Sequence, residues 1–98
     1  MGLIQVSQAD KDKLSSGKVA VIFSAPWCAQ CKMSVPIAET VANDCEIPFF
    51  KVDCKQDQEI ADEYGVMSLP TTILLEDGKE INRIAGGFSA DELSGFVV

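Results

Sequence analysis

The apolar positions of this chain change period along its length, and each change marks an element. Leu3-Ile4-Gln5-Val6 reads as a short first strand. Ser7 opens a helical stretch from about Gln8 to Ser15, with Asp10 at the capping-box position and Gly17 near its end. Lys18 to Ala25 carries the unbroken run Val-Ala-Val-Ile-Phe, the pattern of a strand buried on both faces. From about Cys28 to Asp44 the period becomes helical. Met33, Val35, Ile37, Ala38, Val41 and Ala42 spread far enough round for a mostly buried helix. Pro36 lies inside it, removes one backbone hydrogen bond and predicts a kink. Ile47 to Cys54 is the next strand, and Gln56 to Tyr64 a third helix stopped by Gly65. Thr71–Leu75 and Glu80–Ala85 are strands joined by Glu76-Asp77-Gly78-Lys79, a hairpin turn with Asp-Gly at its tip. Ser89 caps a last helix, and Glu92 completes its box. The order βαβαβαββα gives parallel crossovers and then an antiparallel hairpin. That is an α/β fold with a mixed sheet covered on both faces.

Composition adds bounds. Ninety-eight residues, 47% of them hydrophobic, are expected to form one domain (1–98) with a core that needs no disulfide or metal staple. No apolar run approaches the ~20 residues of a membrane span. Met1 to Ser7 shows no basic segment followed by an apolar stretch, so no secretory signal is expected. A net charge of −7 argues against a nucleic-acid partner bound through its phosphates. The expectation is a cytoplasmic monomer with neither membrane nor nucleic-acid partner.

The chemistry concentrates in Trp27-Cys28-Ala29-Gln30-Cys31-Lys32. These two thiols follow a β run and open a helical one. Spacing of i, i+3 puts both on one helix face, with β-carbons about 5–6 Å apart, where a disulfide can form or break with small adjustments. The helix N-terminus offers unpaired N–H groups and a positive dipole end, which stabilise a thiolate at Cys28. Cys45 and Cys54 flank one predicted strand, roughly 30 Å apart if extended. They cannot pair, and free thiols fit a reducing compartment. They also cannot both join Cys28 and Cys31 in a zinc site, so no metal and no other cofactor is expected. The chain has no histidine, which excludes Cys–His nucleophilic catalysis.

With Trp27 before the motif, Lys32 and Met33 after it, Pro36 in the helix and Ser68-Leu69-Pro70-Thr71 downstream, the chain resembles the thioredoxin family. Lys51-Val52-Asp53, Tyr64-Gly65-Val66 and Asp77-Gly78-Lys79 fall at the family's spacings. The resemblance implies a thioredoxin fold, with a central mixed sheet of about five strands flanked by about four helices. Cys28 would be the attacking thiolate and Cys31 the resolving thiol. Pro70 would be a cis-proline facing them, and Leu69 would offer backbone groups to an extended substrate. Trp27, Ala29, Gln30 and Gly86 would complete the substrate groove. The implied activity is protein-disulfide reduction by dithiol–disulfide exchange, on disulfide-containing proteins, with a thioredoxin reductase-type electron donor. Three departures bear on it. Ala29-Gln30 stands where the family usually has Gly-Pro, Ile22 where it has a buried aspartate, and Ser24 where it has a bulky aromatic. Lys51, the lysine that normally accompanies that aspartate, is a possible modulator of the thiol pKa values, expected to reach solvent or to be depressed in pKa itself. Two alternatives stay open: a glutaredoxin-like or more oxidising thiol–disulfide oxidoreductase, and a non-catalytic thioredoxin-fold subunit of a larger complex.

Overall fold

Strand β2 (Lys18–Ser24) takes the centre of the sheet, as its two-sided apolar run requires. The structure is a computed structural model and describes residues 2–98. Strands β1 (Ile4–Gln5), β3 (Phe49–Asp53), β4 (Thr71–Glu76) and β5 (Lys79–Ala85) complete one sheet in the order β1-β3-β2-β4-β5. β3 pairs parallel with both β1 and β2, while β4 runs antiparallel to β2 and to β5. The expected mixed sheet is present.

Each face of β2 has its own apolar layer. Val19, Val21 and Phe23 pack with Leu14, Val52 and Ile60, beneath a 3-10 segment (Gln8–Ser15) and helix α2 (Gln58–Glu63). Ala20 and Ile22 pack with Ala38, Phe49, Leu74 and Leu93, beneath helices α1 (Ala29–Asp44) and α3 (Ala90–Phe96). Among the described residues, three α-helices and one 3-10 segment therefore stand where about four helices were expected.

The differences from the sequence reading have local causes. In the Gln8–Ser15 segment Asp10 leaves helical conformation (φ −123°, ψ 26°), so the turns tighten instead of running on as an α-helix. The predicted box does form. The Ser7 N–H donates to Asp10 Oδ1 at 2.7 Å, and that bond, with one from the Ser7 hydroxyl, holds the carboxyl below its ordinary pKa. α1 begins one residue late because Cys28 is its cap, and it continues through Pro36. α2 is shorter than expected because the N–H groups of Gln56 and Asp57 turn back onto the Asp53 carbonyl, at 3.1 and 2.8 Å. The hairpin is tighter than expected. Only Asp77 (φ 51°) and Gly78 (φ 83°) lie outside the strands, and positive φ at both central residues is the type I′ requirement.

The fold places the ends of β2 and β3 and the start of α1 together. In open α/β sheets this crevice, beyond the carboxyl ends of parallel strands, is where chemistry collects.

Candidate active site

β2 delivers the chain into the motif, and Ala25 closes the turn by accepting the Cys28 N–H at 3.2 Å. Cys28 is extended (φ −88°, ψ 109°) and serves as the N-cap of α1, a role usually filled by Ser, Thr, Asp or Asn. Its Sγ accepts the Cys31 backbone N–H at 3.1 Å. A sulfur held there faces the orphan donors of a 16-residue helix, the environment that stabilises a thiolate.

Cys28 and Cys31 form a disulfide with α-carbons 5.2 Å apart. The two sulfurs are not equivalent. Cys28 is half-buried at the surface, while Cys31 is 2% exposed. Cys28 is the more accessible of the two.

Trp27, beside Cys28, is 66% exposed, which leaves an apolar ring in solvent. Ala29 and Gln30 are exposed on the first turn of α1. The Leu69–Pro70 peptide is cis, Pro70 is buried and Leu69 is half-buried. The Pro70 carbonyl accepts the Gly86 N–H at 2.7 Å, and Gly86 has φ +96°, a conformation that L side chains rarely adopt. The next residue reaches the motif itself. A β-carbon on Gly87 would lie 2.7 Å from Gln30 Nε2 and 3.5 Å from Ser34 Oγ. Gln30, Gly87, Gly86, Pro70 and Leu69 thus form one continuous rim. Sequence reading missed Gly87, whose role appears only once α1 lies against the segment after β5. It also did not single out Met67, 96% exposed just ahead of Leu69.

Lys51 sits behind the thiols. Side chains on one face of a strand alternate, so Ile22 and Ser24 of β2 lie beside Lys51 and Asp53 of β3, all toward α1. The apolar floor made by Ile22 and Phe49 stops there. Ser24 is small, and a cavity of about 320 Å³ opens, bordered by Ser24, Cys31, Lys32, Val35, Lys51 and Asp53. Lys51 is half-buried and reaches this open space.

The other two cysteines are free, and the structure separates them in kind. Cys45 follows α1, is half-exposed, and donates to the Ile47 carbonyl at 3.0 Å. It borders a larger cavity, about 510 Å³, with Lys18 and Val97, at the opposite end of β2 from the disulfide. Cys54 is 3% exposed. Burial pushes its thiol up to about 11, helped by the negative charges of Asp53, Asp62 and Asp57. This thiol is a small apolar filler. Below about pH 9 it is neutral in folded and unfolded chains alike. Between 9 and 11 only the unfolded chain loses the proton, so folding stability should fall across that window. Urea midpoints at pH 8 and pH 10.5 should show a fall in wild type that is smaller in Cys54→Ala. Equal falls would place the titration elsewhere.

Among the described residues, no group of three or more His, Cys, Asp or Glu is arranged to hold a metal ion. Likewise no helix is long and apolar enough to cross a membrane.

Comparison with known proteins matches this geometry. A family model described as Thioredoxin covers residues 4–98. The chain belongs to the thioredoxin family. Among relatives, a thioredoxin of Chlamydia muridarum is 38% identical over 96 residues, covering 93% of this chain and 92% of its own length. One from Staphylococcus aureus strain Mu50 is 38% identical over 89 residues, covering 88% of this chain and 86% of its own. Among solved structures, a mutant thioredoxin from Halobacterium salinarum superposes with a TM-score of 0.89 at 29% identity, over 98% of this chain and 88% of the other. Thioredoxins are thiol–disulfide oxidoreductases, and this chain has the redox-type cysteine pair of that family at the start of α1. The fold expected from the resemblance is the fold observed.

Proposed function

We propose that the protein is a protein-disulfide reductase that works by dithiol–disulfide exchange, with Cys28 as attacking thiolate and Cys31 as resolving thiol. The observation that carries this is the unequal exposure of two sulfurs already within bonding reach. The Cys28 thiolate attacks a substrate disulfide, and one substrate sulfur leaves as a thiolate. The Cys31 thiolate then attacks Cys28 Sγ, the second substrate thiolate leaves, and the Cys28–Cys31 disulfide remains. Trp27, Ala29, Gln30, Leu69, Pro70 and Gly86 would hold the extended substrate chain, apolar at Trp27 and backbone-bonded along the rim. Electrons return from a thioredoxin reductase-type donor in a reducing cytoplasm, where free Cys45 and Cys54 are at home.

The test is turnover on a disulfide-linked protein with two donors in parallel, an NADPH-driven thioredoxin reductase and glutathione. The reading predicts rapid reduction with the first and slow reduction with the second. The reverse order would place the protein with glutathione-coupled oxidoreductases. No turnover with either donor, nor with dithiothreitol, would leave it a non-catalytic subunit.

A further inference from the structure

A resolving thiol must lose its proton, and the surroundings of Cys31 oppose that. The residue is 2% exposed, and burial disfavours a thiolate. Yet Cys31 is not sealed, because the cavity beneath it opens past the exposed Lys32. At about 320 Å³, with Ser24, Lys32, Lys51 and Asp53 among its bordering residues, the space is roomy enough for water and offers it polar side chains.

The charged groups that border the cavity are Lys32 from α1 and Lys51 and Asp53 from β3, with the Cys28 sulfur beyond Cys31. β2 contributes the neutral Ser24. Asp53 is the one group of this set that can accept a proton as an anion. One of its oxygens is engaged, since Oδ1 accepts the Lys55 N–H at 2.9 Å. Its other oxygen has no protein partner among the described residues.

We propose that Asp53, acting through water in this cavity, is the proton acceptor for Cys31 when the mixed disulfide on Cys28 is resolved; the proposal rests on the exchange reaction above. In that step the Cys31 S–H proton passes to a cavity water as that water gives a proton to the Asp53 carboxylate. The Cys31 sulfur pair attacks Cys28 Sγ, the bond from Cys28 to the substrate sulfur breaks, and the substrate leaves as a thiolate. Asp53 then returns its proton to solvent at the cavity mouth. Lys51 and Lys32 favour the anion at each stage.

Two releases of 2-nitro-5-thiobenzoate separate the steps when reduced protein is mixed with one equivalent of 5,5′-dithiobis(2-nitrobenzoate). The first reports attack by Cys28 and the second resolution by Cys31. In Asp53→Asn, which keeps an oxygen for the Lys55 N–H, the second release should slow by about 10- to 100-fold relative to the first in the same trace. The wild-type second release should slow toward acid pH, a limb absent in the variant. Asp53→Glu should restore much of the rate. Should Asp53→Asn not fold, Ser24→Val, which fills the cavity and keeps the carboxylate, should slow the same release. An unchanged ratio and pH profile in the folded variant would overturn the role of Asp53 alone. Wild-type protein that gives a first release and never a second would instead overturn the exchange reaction itself.

Discussion

Cys28→Ser should lower protein-disulfide reduction by at least about 1000-fold, to the rate of the donor without protein. A serine hydroxyl at the cap of α1 can still accept the Cys31 N–H, so the helix start should survive. What disappears is the polarizable thiolate that the cap position stabilises. Cys31→Ser should behave differently. The half-buried Cys28 keeps its access and still attacks, but nothing displaces the product. Mixed disulfides should therefore accumulate on Cys28, visible by mass as protein plus one substrate chain and reversed by dithiothreitol. Equal, unmodified inertness of both variants would contradict the assignment of the two roles.

Phe23→Ala should cost about 3–5 kcal/mol of folding stability, a large share of the roughly 5–15 kcal/mol a domain possesses. Phe23 is fully buried in the central strand, with its ring 6.1 Å from that of Tyr64 across the layer that α2 covers. It also stands immediately before Ser24, whose carbonyl accepts the Cys54 N–H at 2.8 Å. A collapse there would loosen the strand end that carries the thiols. The control is Met67→Ala, 96% exposed, which should move the urea midpoint by less than about 0.5 kcal/mol. A cost below about 1 kcal/mol for Phe23→Ala would mean that this layer does not hold the sheet.

Much of this arrangement could be read along the chain because its causes are local. The two-sided apolar run of β2 foretells its central place, and Asp77-Gly78 foretells a turn with two positive φ values. The Ser89–Glu92 box forms with bonds of 3.0 and 3.1 Å, as its spacing predicts. What could not be read depends on residues far apart in sequence. The substitution at Ser24 was visible, but the space it opens exists only because β3 sets Asp53 beside it and α1 lays Cys31 above. Lys51 drew attention alone, whereas the cavity joins it to Asp53 and Lys32. Gly87 meets Gln30 only after the whole sheet has formed. The Gln8–Ser15 segment misled for a different reason: its capping box is real, but the box fixes only the first turn, and Asp10 then departs from the helix.

The most direct test of the central claim is the reduction potential of the Cys28–Cys31 pair, read in thiol/disulfide buffers from the fluorescence of Trp27, the only tryptophan and the neighbour of Cys28. A reductant of the thioredoxin type should show one two-electron transition near about −270 mV, the general figure for thioredoxin. A midpoint at roughly −200 mV or above would contradict the reductase reading and point to the Ala29-Gln30 linker. No transition in any buffer would remove the redox role altogether.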